Sequence, residues 1–263
     1  MEPKSLALLG LIVFRIGSVL RSEKMTWQRE HESRRFKPYH NTSLFLTLQS
    51  TGPELTGLCL KGWCERMDDV FIVPYQYVNW HKPTEAWTIQ HFSKMMWHSQ
   101  RLPRQAQWYM FSFDNNYFFV ERLVKELAKL DAHLPIYTVL RDPKAKFSHR
   151  PVAIFSRFAL NSFYEQKERN CEEKAESFEE WLTSCMSVPP VNMSLDSRNK
   201  SRVFAMSRHF RPDEMDQMPE GYHDDKEFIN SHSDSLLSFT NLFENDLTLL
   251  PIFIEKVRGG GRN

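Results

Sequence analysis

The residues best suited to chemistry in this chain come directly after an apolar stretch. Gln107–Phe113 predicts a buried strand, and Asp114–Asn116 predicts a polar turn that leads into a helix. A carboxylate at the end of a strand is the kind of oxygen ligand that hard divalent cations prefer. This turn offers one carboxylate, Asp114, between Phe113 and Asn115, so it has fewer ligands than a cation requires.

The hydrophobic pattern on both sides of this turn alternates between strands and helices. The predicted strands are Ser43–Leu48, Val70–Pro74, Gln107–Phe113, Pro135–Leu140 and Val152–Phe155, and the predicted helices are Glu54–Arg66, Ala86–Gln100, Val120–Leu130 and Ser156–Tyr164. This order predicts an α/β sandwich with a mostly parallel central sheet flanked by helices. The 263 residues are 41% hydrophobic, which is enough for a core, and the net charge of +1 argues against a nucleic-acid partner.

The N-terminus predicts entry into the secretory pathway. Residues 6–20 are apolar apart from Arg15, and basic residues flank them. The stretch is short for a membrane-spanning helix, and Leu6–Phe14 fits the length of a signal-peptide core, while a buried N-terminal helix remains the alternative. We expect a signal peptide or signal anchor at 1–21, a polar stem at 22–42, a globular domain at 43–258 and a tail at 259–263. The expected location is the ER or Golgi lumen, with type II anchoring in the membrane.

Sequons and cysteines agree with a lumenal location. N-glycosylation triplets begin at Asn41, Asn192 and Asn199. Of the four cysteines, Cys171 and Cys185 close a short loop and predict a disulfide. The pairing of Cys59 with Cys64 is less expected, because two thiols five residues apart in one helix point in different directions.

The order of these elements resembles the core 1 β1,3-galactosyltransferase family, the fringe-related GT-A glycosyltransferases that extend mucin-type O-glycans, including the family's non-catalytic chaperone. The resemblance covers roughly Ser43 to the C-terminus. It rests on six short segments in the family's order, which are Leu60–Trp63, Gln107–Tyr117, Glu121–Leu123 with Pro135–Tyr137, Ala153–Leu160, Asp196–Arg198 and Ser233–Thr240. It implies a GT-A-like, Rossmann-type fold and the use of UDP-galactose with a divalent cation, usually manganese.

The departures from the family lie where the chemistry would be. The first and third Asp of the family's metal triplet fall on Phe113 and Asn115, and its metal-binding His falls on Thr240. Asp114 alone remains, at a position on which the family does not chiefly rely. The family's glycine turn is replaced by Ser148–Pro151. These substitutions predict that no metal is bound.

The family's catalytic base aligns near Glu179, which is a possible base for an acceptor hydroxyl. The favoured interpretation is that Glu179 belongs to the solvated face of an acidic helix. A replacement metal site around His223–Asp225, His232 and Asp234 is less favoured, because loops of this composition are usually only solvated.

Two functional hypotheses follow. The first is a lumenal protein of core 1 O-glycan biosynthesis with a degenerate metal site, which acts as a chaperone-like partner of an active galactosyltransferase and needs no cofactor. The second is an active enzyme that transfers galactose from UDP-galactose to GalNAc on Ser or Thr of O-GalNAc glycoproteins. That enzyme would use Mn²⁺, or else Lys94, Arg141 or Lys144 to offset the charge of the diphosphate.

Overall fold

The computed structural model describes residues 42–74, 84–100, 106–142, 150–171, 175–186, 188–195, 197, 201–205, 236–240, 242 and 247–248. Within them there are five α-helices, which are α1 (Pro53–Lys61), α2 (Glu85–Ser99), α3 (Val120–Leu127), α4 (Arg157–Asn170) and α5 (Phe178–Cys185). The strands are β1 (Leu44–Gln49), β2 (Asp69–Val73), β3 (Trp108–Phe113), β4 (Tyr117–Phe118), β5 (Tyr137–Leu140), β6 (Val152–Ser156), β7 (Val203–Ala205) and β8 (Ser238–Thr240).

The central sheet has five strands in the order β2-β1-β3-β6-β5. β1 pairs in parallel with β2 and β3, whereas β6 is antiparallel to both β3 and β5. Four strands therefore run in one direction and β6 runs against them. The parallel order β2-β1-β3 brings the ends of β1 and β3 together at one edge, where Asp114 lies. This confirms the predicted α/β sandwich with a mostly parallel, Rossmann-type sheet.

Strand alternation divides the core into two layers. Leu46 and Met110 face one side of the sheet, in a cluster with residues of α1 and α3, while Phe45 and Phe111 face the other side, in a cluster with residues of α2, α4 and α5. Because successive side chains point to opposite faces, both faces of β3 are largely apolar, whereas β1 has Thr47 and Gln49 beside Phe45 on its second face. Helices thus cover the sheet on both sides.

A second sheet of three strands lies next to the end of β3. Its strand order is β4-β8-β7, with β4 antiparallel and β7 parallel to β8. β4 follows Asp114–Asn116 directly, so pairing between β4 and β8 brings Thr240 to this turn. The sequence pattern did not predict β4, β7 or β8, because each has only two or three residues.

The predicted helix Glu54–Arg66 is wrong in its second half. Helix α1 ends at Lys61, and Trp63–Arg66 forms a separate 3-10 turn. A Cβ at Gly62 would lie 3.1 Å from the carbonyl oxygen of Leu58, a tight contact that favours glycine at the break. Cys59 and Cys64 consequently lie on different helical pieces and form a disulfide, contrary to the expectation for a continuous helix.

The predicted disulfide between Cys171 and Cys185 is confirmed. It links the end of α4 to the end of α5. All four cysteines of the chain are paired, which agrees with folding in an oxidising compartment. The segments predicted as signal or anchor (1–21), stem (22–42, apart from Thr42) and tail (259–263) lie outside the described residues, and the domain boundaries stay predictions. No helix among the described residues is long and apolar enough to cross a bilayer.

Replacing Cys171 and Cys185 with alanine is expected to lower the free energy of unfolding by about 3 kcal/mol, because the unfolded chain regains the freedom of the closed loop. The loop spans 14 residues, compared with 5 between Cys59 and Cys64. The Cys59→Ala, Cys64→Ala pair should therefore cost less, about 2 kcal/mol in the same treatment. Urea denaturation measures both values, and a larger loss from the short loop would contradict this ranking.

Candidate functional site

Asp114 is fully buried at the end of β3 and is bonded to the turn that follows β1. The backbone N–H of Thr51 donates to Oδ2 over 2.8 Å, and the Thr51 hydroxyl donates to Oδ1. The Thr56 hydroxyl lies 2.7 Å from Oδ2 and 2.9 Å from the carbonyl oxygen of Gly52. It has one proton, and the charged carboxylate is the stronger and nearer acceptor. Both carboxylate oxygens are therefore engaged inside the protein.

The direction of Asp114 follows from strand alternation. Phe113 faces α2, so the next side chain turns towards α1, where Thr56 lies. Phe113 and Asp114 thus point to opposite sides of the sheet. The turn that follows β1 places Thr51 beside Asp114.

Arg150 is the buried cation near Asp114. Its guanidinium carbon lies 5.5 Å from the ring centres of both Trp87 and Phe113, and the residue is 8% exposed. Burial lowers the pKa of Arg150 to about 10, although the charge of Asp114 acts in the opposite direction. Arg150 therefore stays charged at neutral pH. The sequence pattern did not point to Arg150 as a functional residue. It lies in Ser148–Pro151, which was noted only because it lacks the glycines of the resembled family.

Burial also dominates the ionisation of Asp114. It raises the pKa of this carboxyl above the ordinary value, and the donors on Thr51 and Thr56 and the charge of Arg150 act against that rise. The charged form of Asp114 is therefore stabilised by these donors and by the charge of Arg150, and not by solvent.

Phe113 belongs to an aromatic cluster. Its ring centre is 5.5 Å from the stacked ring of Trp87 and 5.6 Å from the edge-on ring of Phe92. Trp87 in turn stacks on His91 at 3.9 Å, and burial lowers the pKa of that histidine. The side of β3 that holds a carboxylate in the family is thus filled by packed rings here.

Asn115 and Thr240 lie at the same edge as Asp114. The backbone N–H of Leu242 donates to the carbonyl oxygen of Asn115 over 2.8 Å, which fixes the end of β8 beside the turn. Both side chains are buried, and neither Oδ1 of Asn115 nor Oγ1 of Thr240 has a hydrogen-bond partner among the described residues. The structure therefore places at one edge all four positions that align with the metal ligands of the resembled family, and Asp114 is the one carboxylate among these four.

These four residues do not fit a manganese ion. Phe113 offers no ligand atom, the oxygens of Asp114 are bonded to Thr51 and Thr56, and Asn115 and Thr240 offer only neutral oxygens. A hard dication needs several accessible, preferably anionic oxygens. Among the described residues, no group of three or more His, Cys, Asp or Glu side chains could hold a metal. The alternative cluster around His223–Asp225, His232 and Asp234 lies outside them.

Glu179 lies in the first turn of α5, and its side chain is 33% exposed. Its carboxylate accepts from Arg141 over 2.7 Å, and Arg141 also donates to Glu85 over 2.9 Å. The second oxygen of Glu85 accepts from the backbone N–H of Phe178. Two residues considered for catalysis, Glu179 and Arg141, are therefore bonded to each other. The role of Glu179 as a base stays a prediction. Lys144, another cation considered, lies outside the described residues.

Replacing Arg141 with methionine is expected to lower the free energy of unfolding by about 1.5 kcal/mol, because Glu85 and Glu179 lose a shared, partly buried donor. Arg66 provides the matched control, since its pair with Glu121 is exposed, at 56% and 48% of the side chains. Arg66→Met should change stability by less than about 0.5 kcal/mol. Urea denaturation of both variants decides the point, and equal losses would show that the Arg141 pairs add nothing beyond surface charge.

Of the predicted sequons, Asn41 and Asn199 lie outside the described residues. Asn192 is exposed on the segment that follows α5.

Comparisons with known proteins give one full-length relative. The chain is 65% identical over 260 residues to "Uncharacterized protein F37A4.3" of Caenorhabditis elegans, covering 99% of this chain and 96% of that protein. No protein-family model matches. Among solved structures, a glycosyltransferase involved in the glycosylation of the major capsid of PBCV-1 aligns with a TM-score of 0.44 and 8% identity, over 82% of this chain and 99% of that one.

Proposed function

We propose that this chain, which belongs to the same family as the C. elegans protein F37A4.3, is a binding protein that does not carry out metal-dependent glycosyl transfer. Its α/β fold places the ends of β1, β3 and β8 at one edge, where a transferase of the resembled family would hold its nucleotide sugar and cation. We propose that this edge of the present chain does not hold a catalytic cation.

The observation that supports this proposal best is the engagement of Asp114. Both of its oxygens accept hydrogen bonds from Thr51 and Thr56, and the side chain is 0% exposed. Oδ2 accepts two of these bonds and Oδ1 accepts one, so of about four lone-pair sites on the carboxylate only one is left, on a buried Oδ1. A single buried lone pair does not make a cation site, because a hard dication needs several oxygen ligands. Asp114 therefore serves the fold, by linking β3 to the turn after β1.

The neighbouring positions support the same conclusion. The Phe113 ring is packed between aromatic residues, and the guanidinium of Arg150 lies over it. The loss of a metal's Lewis acidity costs several kcal/mol of transition-state stabilisation, and each 1.4 kcal/mol is about tenfold in rate. Arg150 is 8% exposed and covered by rings, so it is poorly placed to replace the metal at a leaving diphosphate.

The proposed location and partner rest on the resemblance to the core 1 family. We place the chain in the ER or Golgi lumen, as a chaperone-like partner in mucin-type O-glycan biosynthesis whose client is an active β1,3-galactosyltransferase. The two disulfides support an oxidising compartment. Membrane attachment would come from the N-terminal apolar segment.

A transfer assay tests the catalytic half of the proposal. The purified full chain is incubated with UDP-galactose and a GalNAc-peptide, with manganese or with a chelator, beside an active core 1 galactosyltransferase as positive control. We expect no galactosylated peptide above background in either condition. Turnover that a chelator abolishes would refute the proposal, and turnover that ignores the chelator would instead establish a cation-independent enzyme.

Calorimetry of UDP binding tests the site itself. We expect manganese not to tighten any binding of UDP, because the described residues at this edge provide no cation site. A marked gain in affinity with manganese would contradict this expectation. For the client, co-expression with the active galactosyltransferase should increase the yield of soluble, active enzyme, and an unchanged yield would remove the chaperone part of the proposal alone.

A further inference from the structure

The segment that follows α5 covers the outer edge of the central sheet. β5 is the last strand of that sheet, and the backbone N–H of Val191 donates to the carbonyl oxygen of Tyr137 over 2.8 Å. Further along, the hydroxyl of Ser194 donates to the carbonyl oxygen of Val139 and accepts from the backbone N–H of Arg141, both over 3.1 Å. One side-chain hydroxyl thus satisfies two backbone groups that an edge strand would otherwise leave open.

The same segment contains the sequon Asn192-Met193-Ser194. Met193 is buried in the core cluster and Val191 packs against that cluster, so Asn192 between them points outwards. Asn192 is exposed, whereas Ser194 is 8% exposed. The side-chain oxygen of Asn192 accepts from the backbone N–H of Ser194 over 3.1 Å, which leaves its amide nitrogen directed away from this turn. In the folded chain, Asn192 is therefore accessible to solvent, whereas Ser194 is buried.

We propose that Asn192 carries an N-linked glycan, which is attached before residues 191–195 dock against β5 and cannot be attached afterwards. An enzyme that selects Asn-x-Ser must reach the serine hydroxyl as well as the asparagine amide. In the folded chain, that hydroxyl is buried and bonded to Val139 and Arg141. Glycan transfer and closure of the sheet edge thus compete for one hydroxyl group.

The transfer balances without any further co-reactant. The donor is a lipid-linked oligosaccharide diphosphate, and a bond forms between Nδ2 of Asn192 and C1 of its first sugar. The bond between C1 and the diphosphate oxygen breaks, and the lipid diphosphate leaves with the electron pair while the amide gives up one proton. The two disulfides place the folding of this chain in an oxidising compartment, where such donors are used.

The glycan is compatible with the finished fold. The exposed Asn192 side chain extends from the edge of the sheet without displacing Val191 or Met193 from the core. A bulky, solvated group there would also keep another strand from pairing with this edge.

The decisive experiment compares two states of the full, unglycosylated chain with purified oligosaccharyltransferase and a lipid-linked donor. One sample is folded with its disulfides intact, and the other is reduced and unfolded. Mass spectrometry of the Asn192 peptide measures the rate of modification at this one site. We expect the unfolded chain to be modified at least about tenfold faster, because the folded chain must first open this segment locally. Equal rates, or no modification of the unfolded chain, would overturn the proposal.

Asn192→Asp provides the matched control, because it retains the oxygen that accepts from Ser194 and removes the amide nitrogen. This variant should give no modified peptide while keeping the unfolding temperature of the unglycosylated parent. In secretory cells, the unaltered chain should carry glycan on the Asn192 peptide, and its absence there would also refute the proposal. None of these outcomes depends on whether the chain transfers galactose, so the proposed function is tested separately.

Discussion

Replacing Asp114 with alanine is expected to lower the free energy of unfolding by about 4 kcal/mol. The substitution leaves the N–H and the hydroxyl of Thr51 without their acceptor, whereas the Thr56 hydroxyl can still donate to the carbonyl oxygen of Gly52. It also leaves Arg150 without the nearby negative charge. Leaving a buried donor without an acceptor costs about 1–3 kcal/mol, so the two donors of Thr51 account for a loss of this size. Urea denaturation followed by circular dichroism measures this loss.

Asp69→Asn is the matched control for Asp114. Asp69 is exposed at the start of β2, and its side-chain oxygen accepts only from the neighbouring backbone N–H of Val70. Asparagine keeps an oxygen there, so the change should stay within about 0.5 kcal/mol. If Asp114→Ala cost no more than this control, Asp114 would not be the link between β1 and β3, and the main support for the proposed function would fail.

The pH dependence of Asp114→Asn tests the same site in a second way. Burial raises the pKa of Asp114 above its ordinary value of 3.8, so the folded chain holds this proton more tightly than the unfolded chain. Its contribution to stability is then fully present below that ordinary value and is lost as the pH rises through the folded pKa. The difference in free energy of unfolding between the unaltered chain and Asp114→Asn should therefore shrink from about pH 4 upwards. A difference that grows with pH would mean that the pKa is lowered instead.

Phe113→Asp is expected to cost about 5 kcal/mol, although it restores the carboxylate of the resembled family. Removing a buried Phe ring costs about 3–5 kcal/mol, and a carboxylate placed among apolar rings adds a desolvation penalty. Phe113 is fully buried against Trp87 and Phe92, so no solvent compensates the new charge. We expect the variant to be largely unfolded, because a typical domain has only about 5–15 kcal/mol of stability. Thermal unfolding measures the loss.

Phe113→Leu separates the loss of the ring from the burial of charge. It keeps most of the apolar volume and should cost about 1.5 kcal/mol. The triple variant Phe113→Asp, Asn115→Asp and Thr240→His should remain destabilised, and manganese should not raise its unfolding temperature. A stable triple variant whose unfolding temperature rises with manganese would show that the cation site had been lost through these three residues alone.

The fold class could be predicted from the sequence because it depends on local patterns. Apolar stretches of strand length alternate with amphipathic stretches of helical length, and this order alone predicts the α/β sandwich. The same local information fails at Gly62, where one residue ends α1 and allows Cys59 to pair with Cys64. It also fails for β7 and β8, which are too short to have a pattern of their own and form strands only by pairing with each other and with β4.

The sequence by itself determined that these positions offer few metal ligands, because Phe113 has no ligand atom in any conformation and the neutral oxygens of Asn115 and Thr240 bind a hard dication only weakly. Only the tertiary structure decided what Asp114 does. Its donors on Thr51 and Thr56 lie 63 and 58 residues away in the chain, and they reach it because β1 and β3 are parallel neighbours. Whether a carboxylate is free to bind a ligand depends on which groups surround it. Here those groups come from distant segments that only the packing of the sheet brings together.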